Sequence, residues 1–212
     1  MNITEIDSSM MDSKKGDLLF ELFPTLTIVS SYKKEYSKEF EWIRKQEYVK
    51  NKSNKISKDK CILDNPELAN IRAFIDEKIN DYMNNILETD DRLVITQSWL
   101  NKSDTEESHH EHSHHNTVLS GVWYPYVDEN MPPINFFTRN GSQFLFPARQ
   151  YGPFNAQAFT PPIQSGDLII FPGTLLHSVA PNKSDNSRYS LGFNTWPKGS
   201  FGNKKTLTHV DR

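Results

Sequence analysis

The sequence has little of what marks secreted, membrane-spanning and nucleic-acid-binding proteins. Its single cysteine, Cys61, excludes an internal disulfide framework and favours a reducing compartment. No apolar run approaches the roughly 20 residues of a membrane span, and the N-terminus lacks the apolar core of a signal peptide. The formal net charge of −3 gives no broad cationic surface for nucleic acid. We therefore expect a cytoplasmic protein with no membrane partner and no nucleic-acid partner.

The 212 residues suit one domain, which is large enough to bury a substantial core. Residues 1–16 are polar and without periodicity, which predicts a flexible N-terminal tail. Residues 17–198 are the predicted domain, and its helical preface covers about 35–88. Residues 199–212 are again polar and are predicted to be a C-terminal tail.

The preface contains two predicted helices. Residues 35–50 place apolar side chains among charged ones, as an amphipathic helix does. Residues 51–60 are predicted to be a solvated loop. Asn65 and Pro66 are a capping residue and a first-turn proline, and an apolar stripe at three- and four-residue spacing follows them. This pattern predicts a second helix, up to about residue 88, whose apolar face packs on a sheet.

After residue 91 the hydrophobic pattern changes to a period of two, which is typical of strands. A first strand is predicted earlier, in an apolar stretch with β-branched residues. The predicted strands are 18–29, 93–101, 118–126, 134–137, 143–146, 155–159, 167–171, 177–180 and 188–194. Many short strands separated by Gly, Pro and Asn favour a sandwich or barrel, so the predicted fold class is mainly β with N-terminal helices.

Histidine is concentrated in one segment, since five of the seven histidines lie between His109 and His115. His112 and His114 occupy alternate positions of extended backbone, so their imidazoles can point to one side and bind one metal ion. A third ligand is expected from His177, on a later predicted strand. Two neighbouring ligands and a distant third form the facial triad of non-haem Fe(II) oxygenases, which leaves positions open for a co-substrate and O₂.

Arg188 follows His177 by one predicted hairpin, which returns it to the neighbourhood of that histidine, and Ser190 lies two positions further on. A guanidinium and a hydroxyl suit a buried carboxylate, because arginine binds it through two hydrogen bonds and serine adds a donor. An iron-chelating α-keto acid needs such an anchor for its far carboxylate.

Four blocks of the sequence together resemble a 2-oxoglutarate/Fe(II) dioxygenase. They are Trp99-Leu100-Asn101, His112-Ser113-His114 through Ser120-Gly121-Val122-Trp123-Tyr124, Phe171-Pro172 to His177, and Arg188-Tyr189-Ser190 to Asn194. The resemblance covers residues 93–196 and is greatest to a branch of marine bacteria and their phages, whose motif is roughly His-x-His-Pro-Asn-Ser, then Ser-Gly-Val and two aromatic residues. His115 and Thr117 stand where that branch has Pro and Ser.

The resemblance implies a double-stranded β-helix (a cupin-like jelly roll) that holds Fe(II) and 2-oxoglutarate. It implies an enzyme that couples the oxidative decarboxylation of 2-oxoglutarate to hydroxylation of a C–H bond, in a prime substrate that the sequence does not identify. The metal ligands would be His112, His114 and His177. The residues implied or considered for other roles are Arg188, Ser190 and Tyr124 for the co-substrate, and Asn101, Trp123 and Asn194 for the substrate or for support of the ligands.

Two alternatives stay open at this point. Most of the superfamily has a carboxylate as its second ligand, so His109 with Glu111 is an alternative ligand pair. The function is open as well. A three-histidine cupin-type dioxygenase without a keto acid would use Arg188 for its substrate's carboxylate, and a non-catalytic metal-binding jelly-roll module would saturate the metal with protein ligands.

Overall fold

The computed structural model describes residues 24–138, 147, 149–152 and 155–211. The helices are α1 (Ser37–Arg44) and α2 (Ala69–Asn85), and α2 is preceded by two short 3₁₀ turns, Ile62–Asp64 and Pro66–Leu68. The strands are β1 (Ile28–Ser31), β2 (Tyr48–Lys50), β3 (Lys55–Ser57), β4 (Leu93–Ser103), β5 (His109–His112), β6 (Leu119–Trp123), β7 (Ile134–Phe137), β8 (Ala158–Phe159), β9 (Asp167–Pro172), β10 (Leu176–Val179) and β11 (Arg188–Pro197).

The strands form two antiparallel sheets. The larger has the order β1-β9-β6-β11-β4-β3-β2, and the smaller has the order β5-β10-β7-β8. From β4 to β11 the chain passes back and forth between the sheets, with β7 and β8 as a consecutive pair in the smaller one, in the manner of a double-stranded β-helix, which confirms the predicted jelly roll. None of the helices in the described part of the chain has the length and apolar character that a membrane span requires.

The alternation of side chains along β11 separates a structural face from a polar face. Tyr189, Leu191 and Phe193 belong to the larger apolar core, on the side of the sheet that α2 covers. Arg188 and Ser190, which point the other way, are also buried, but they lie inside the barrel. One strand therefore stabilises the fold with one face and supplies functional groups with the other.

A smaller apolar cluster fills the barrel between the two sheets. It contains Tyr124, Ile134, Phe136, Ile169 and Phe171. The cluster occupies only part of the interior. The rest is polar, because histidines from β5 and β10 face the polar side of β11 there.

The preface is less helical than predicted. The first helix ends at Arg44, and the predicted loop at 51–60 contains β3, which pairs with β2 and β4. The basic residues suggested solvation, but Lys55 forms ion pairs with Asp104 and Glu107 on the neighbouring connection. Its charge is thereby compensated, so the segment extends the larger sheet by a hairpin.

The other predicted strands have different outcomes. The strand at Ile134–Phe137 has its predicted bounds, whereas 155–159 shortens to Ala158–Phe159. The predicted strand 18–29 overlaps β1 only at its end. The strand at 143–146 and the tail at 1–16 lie outside the described residues. Beyond β11, Phe201 and Val210 form an isolated antiparallel bridge, and the domain boundaries stay predictions.

We predict that Gly121→Ala destabilises the protein by about 1–3 kcal/mol, the usual cost of overpacking a core. A Cβ at this position of β6 would lie 2.3 Å from Phe193 Cζ and 2.8 Å from the Ile169 carbonyl oxygen. Urea unfolding measures the change. Gly152→Ala is the control, because a Cβ there meets no atom of the described residues within 4 Å, and equal midpoints for the two variants would contradict the prediction.

Candidate functional site

Three histidines from two separate segments of the chain meet inside the barrel. His112 ends β5, His114 lies in the following loop, and His177 on β10 is paired in register with His112. One ligand nitrogen of each lies within 4.8 Å of the other two. The rings pack closely, with centroids 4.3 Å apart for His112 and His177 and 5.1 Å apart for His114 and His177. The structure thus brings together the three predicted metal ligands.

Each of the three imidazoles is oriented through its Nδ1 atom. His112 Nδ1 lies 2.8 Å from the His110 carbonyl oxygen, and His177 Nδ1 lies 2.8 Å from that of Leu175. His114 Nδ1 lies 2.6 Å from Asn194 Oδ1. These partners are acceptors, so each Nδ1 carries the proton and each Nε2 keeps a free lone pair. The tautomers suit a metal held by three Nε2 atoms.

Two backbone hydrogen bonds between two loops, called the clamp below, bring His114 to His177. The His114 amide donates to the Gly173 carbonyl oxygen at 2.8 Å, and the Gly173 amide donates to the Val118 carbonyl oxygen at 3.1 Å. Gly173 permits this approach, because a Cβ there would lie 2.2 Å from the methyl group of Thr117. The Pro172-Gly173 turn leads into β10, so the clamp fixes the separation between the His112–His114 segment and His177.

Burial keeps the histidines uncharged. Desolvation is the largest cause in each case, and it lowers the pKa of His177 to about 3 and that of His114 to about 4. The pKa of His112 is lowered for the same reason. Phe171 packs against His177 with ring centroids 5.0 Å apart, which contributes an apolar wall. At neutral pH all three imidazoles are therefore in the form that binds metal.

The alternative pair, His109 and Glu111, is not part of this group. Glu111 is exposed, whereas the ring of His109 stacks on that of His112 at 4.5 Å. Among the described residues, no aspartate or glutamate joins the three histidines. The described group is therefore a set of three neutral nitrogen ligands, without the carboxylate that Glu111 would have supplied.

Arg188 lies in the same interior at the start of β11, and its side chain is 4% exposed. Its Nε donates to the Pro132 carbonyl oxygen at 3.0 Å, its Nη1 lies 3.5 Å from Ser190 Oγ, and its guanidinium lies over the Tyr124 ring. Within the described ranges it forms no ion pair with a carboxylate. Because burying an unpaired charge costs free energy, this arrangement suits the binding of an anion.

Two further buried polar groups near Arg188 have no hydrogen-bond partner within the described part of the chain. They are the Tyr124 hydroxyl and Asn101 Oδ1. Burial raises the pKa of Tyr124 to about 12, so its hydroxyl keeps its proton and can donate. Asn101 stands opposite Ser190 in the β4–β11 ladder. A co-substrate with carboxylate and carbonyl oxygens would suit Arg188, Ser190 and Tyr124.

Of the remaining predicted residues, Asn194 lies at the histidine group and Trp123 lies in the larger core. Asn194 contacts His114, as described above, and accepts a hydrogen bond from Ser120 at 2.8 Å. The structure does not bring Trp123, which was considered for the substrate or for support of the ligands, to the three histidines. Its side chain belongs to the larger core, donates to the Gly166 carbonyl oxygen and packs against Tyr36. It follows Val122, which faces the barrel, so alternation along β6 turns Trp123 to the opposite face.

The sequence interpretation missed two neighbours of the site. Trp99, which the sequence analysis named only as part of a motif block, is half-buried, and the centre of its ring lies 5.7 Å from that of His114. Ser120 also lies 2.8 Å from His114 Nδ1. A signal was present for Trp99: Gly192, its partner on β11, has no side chain, and a Cβ there would lie 2.9 Å from the indole. The small residue makes room for the ring.

Comparison with known proteins agrees with this geometry. Residues 97–194 match the family described as "Putative 2OG-Fe(II) oxygenase". That range includes the three histidines, Arg188 and Asn194, and the description names the two cofactors predicted above, Fe(II) and 2-oxoglutarate (2OG). No curated protein sequence matches the chain significantly.

Solved structures of 2OG-Fe(II) oxygenases share the fold. An oxidoreductase of this family from Burkholderia pseudomallei is 11% identical, with a TM-score of 0.59 over 80% of this chain and 84% of its own. HygX from Streptomyces hygroscopicus, solved with nickel, 2-oxoglutarate and hygromycin B, is 10% identical, with a TM-score of 0.58 over 82% and 84%. A Pseudomonas putida prolyl-4-hydroxylase is 11% identical, with a TM-score of 0.55 over 80% and 92%. These likenesses show the shared fold, and the family match covers the part of the chain that holds the three histidines and Arg188.

We predict that Asn194→Ala weakens metal binding about 10- to 100-fold, the usual effect of removing the group that orients a histidine ligand. The variant leaves His114 free to rotate about its side-chain bonds. Titration of the apoprotein with Fe(II) under anaerobic conditions measures the dissociation constant. Gln97→Ala is the control, because Gln97 is exposed and stands opposite Asn194 in the same ladder. Unchanged affinity in the Asn194 variant would contradict the orienting role.

The lowered pKa of His177 gives a second prediction, for the metal-free protein. Its pKa is about 3 when folded and about 6.5 when unfolded, so the unfolded chain binds more protons between these values. Stability is therefore full above pH 6.5 and is lost as the pH falls towards 3. We expect unfolding at pH 5 to take up about one proton fewer in His177→Gln than in wild type. Urea unfolding from pH 4.5 to 7 measures this slope, and identical slopes would contradict it.

Proposed function

We propose that this protein is a 2-oxoglutarate- and Fe(II)-dependent dioxygenase that couples oxidative decarboxylation of 2-oxoglutarate to hydroxylation of a C–H bond. One observation carries the proposal: Arg188, which is buried and has no carboxylate partner among the described residues, lies in the same barrel as three histidines whose Nδ1 atoms contact acceptors, so that each Nε2 is left for a metal. Arg188 needs an anion and the histidines suit a metal, and 2-oxoglutarate can contact both, because it is a dicarboxylate with a metal-chelating keto acid at one end.

The three histidines would hold the iron from one side. His112, His114 and His177 offer three ligands, so a six-coordinate ion would keep positions for the keto acid and O₂. When bound, the iron activates O₂ for the oxidation of 2-oxoglutarate to succinate and CO₂ and for attack on the C–H bond. The acceptors at the Nδ1 atoms hold the imidazoles in place, and the apolar wall at Phe171 limits the access of water.

Arg188, Ser190 and Tyr124 would bind the far carboxylate of 2-oxoglutarate. The guanidinium supplies charge and directed N–H groups, and the serine and tyrosine hydroxyls add neutral donors. The Tyr124 hydroxyl, which is buried and unpartnered within the described residues, would gain an acceptor. Binding of the co-substrate would thus offset the free energy that the burial of these groups costs.

The narrower assignments are part of the same proposal. The order and composition of the four motif blocks support the branch of marine bacteria and their phages. The single cysteine supports a cytoplasmic location, in the host cell if the source is viral.

We predict that Arg188→Met raises the dissociation constant for 2-oxoglutarate at least about 30-fold, because truncating one partner of a buried charge pair costs about 2–5 kcal/mol. The measurement is anaerobic titration of the Fe(II) protein, followed by the weak visible charge-transfer band of the chelate. The metal-free variant should unfold at the same temperature as wild type or higher, because an unpaired buried charge has been removed. Arg149→Met is the control, since Arg149 is exposed.

Succinate production tests the reaction itself, and it should depend on Fe(II) and on Arg188.

A specific observation favours a second candidate, the three-histidine cupin-type dioxygenase without a keto acid, because no carboxylate of the described residues joins the histidines. In that case no band would form with 2-oxoglutarate in the wild-type protein. The third candidate, a non-catalytic module, would show a metal saturated by protein ligands and no binding of keto acid.

A further inference from the structure

His109 lies beside the site without being in the metal group, as His110 also does, and its ring is the one that stacks on His112. Its ring stacks on His112 with centroids 4.5 Å apart and an interplanar angle of 28°. It opposes Val179, a buried residue on β10 two positions beyond His177. Among the described residues it has no hydrogen-bond partner. His109 therefore presents an uncommitted imidazole next to the ligands.

The connections of the barrel place His109 and Arg188 at the same end. His109 is the first residue of β5 and Arg188 is the first residue of β11, on facing sheets. The turns that precede them are joined by two hydrogen bonds, from the Glu106 amide to the Asn182 carbonyl oxygen at 2.8 Å and from the Asn182 amide to that of Glu107 at 2.9 Å. The Asn182 side chain also donates to the Ser103 carbonyl oxygen, opposite Arg188.

His109 thus lies between the two ends of the proposed co-substrate site. It touches His112, which would hold the metal at the keto end of 2-oxoglutarate. Arg188, which would hold the far carboxylate, begins β11 at the same end of the barrel as His109. A group that neighbours both anchors flanks the molecule that spans them. The role inferred for His109 follows from its position in the fold and not from its spacing in the sequence.

The chemistry of the side chain agrees with that position. An imidazole carries at least one N–H donor in either protonation state, so it can donate to a carboxylate oxygen.

Resting on the function proposed above, we infer that His109 is a co-substrate-binding residue whose imidazole N–H donates a hydrogen bond to a carboxylate oxygen of 2-oxoglutarate. Glu111, its partner in the alternative ligand pair, has no part in this role because it is exposed.

The test uses His109→Phe and His109→Leu, which remove the donor, and His109→Gln, which keeps one. His115→Phe is the matched control, because His115 is exposed. Two dissociation constants are measured anaerobically for each protein: that of Fe(II) alone, and that of 2-oxoglutarate on the Fe(II)-loaded protein. Thermal unfolding of each metal-free variant reports whether it is folded.

The donor-free variants should bind 2-oxoglutarate about 10- to 100-fold more weakly, since a hydrogen bond to a charged group contributes about 1.5–3 kcal/mol. His109→Gln should recover most of this affinity, and Fe(II) affinity should stay within about twofold of wild type in every variant. If His109→Phe or His109→Leu bound 2-oxoglutarate with wild-type affinity, this inference would be overturned and the proposed function would stand. A parallel loss of Fe(II) affinity would also overturn it and would identify His109 as a metal ligand. Failure of the wild-type Fe(II) protein to bind 2-oxoglutarate would overturn the proposed function as well.

Discussion

The site depends on the two backbone hydrogen bonds between the loop after β5 and the Pro172-Gly173 turn. They hold the His112–His114 segment against the entrance to β10, so that ligands far apart in the chain share one centre. Backbone bonds suit this task because they do not depend on rotamer choice, and Gly173 removes the one steric obstacle to the approach. The metal ligands are thus set by strand pairing and by a turn, and their side chains need only small adjustments.

Inside the barrel, the polar groups are arranged for ligands that the protein itself does not supply. The three imidazoles have their Nδ1 atoms bonded and their Nε2 atoms free, and Arg188 is buried without a carboxylate partner among the described residues. Each of these features costs free energy in the empty protein, through desolvation of a charge or loss of hydration. The large apolar core, packed between the sheet and α2, offsets that cost. Ligands that bind only the folded state would return part of it as added stability.

Single strands turn one face to the core and the other to the site, and this alternation decides which features of the fold and site the sequence predicted. The period-two pattern predicted the strands, and the motif blocks predicted His112, His114, His177 and Arg188, because these residues stand in the order and at the spacing of the motif that the sequence resembles. Alternation was not applied strictly enough to Trp123, which faces the larger core although its neighbour Val122 faces the barrel. The hairpin of β2 and β3 was missed because its lysines suggested solvent, and only the fold brings Asp104 and Glu107 to Lys55.

Other contacts depend on three-dimensional neighbours that no local pattern encodes. The place of His109 between His112 and Arg188 requires the paired turns around Asn182, and the packing of Trp99 on His114 requires the glycine opposite it on β11. Both follow from register across strands. A hydrophobic pattern predicts that a strand exists, but it does not specify which residue of another strand stands beside it.

Anomalous diffraction at the iron edge, from anaerobic crystals loaded with Fe(II) and 2-oxoglutarate, tests the central claim most directly. We predict one iron about 2.1 Å from the Nε2 atoms of His112, His114 and His177. We also predict a keto acid that chelates this iron and places its far carboxylate on Arg188. Iron bound elsewhere, or an Arg188 guanidinium without the carboxylate while the keto acid lies at the metal, would contradict it.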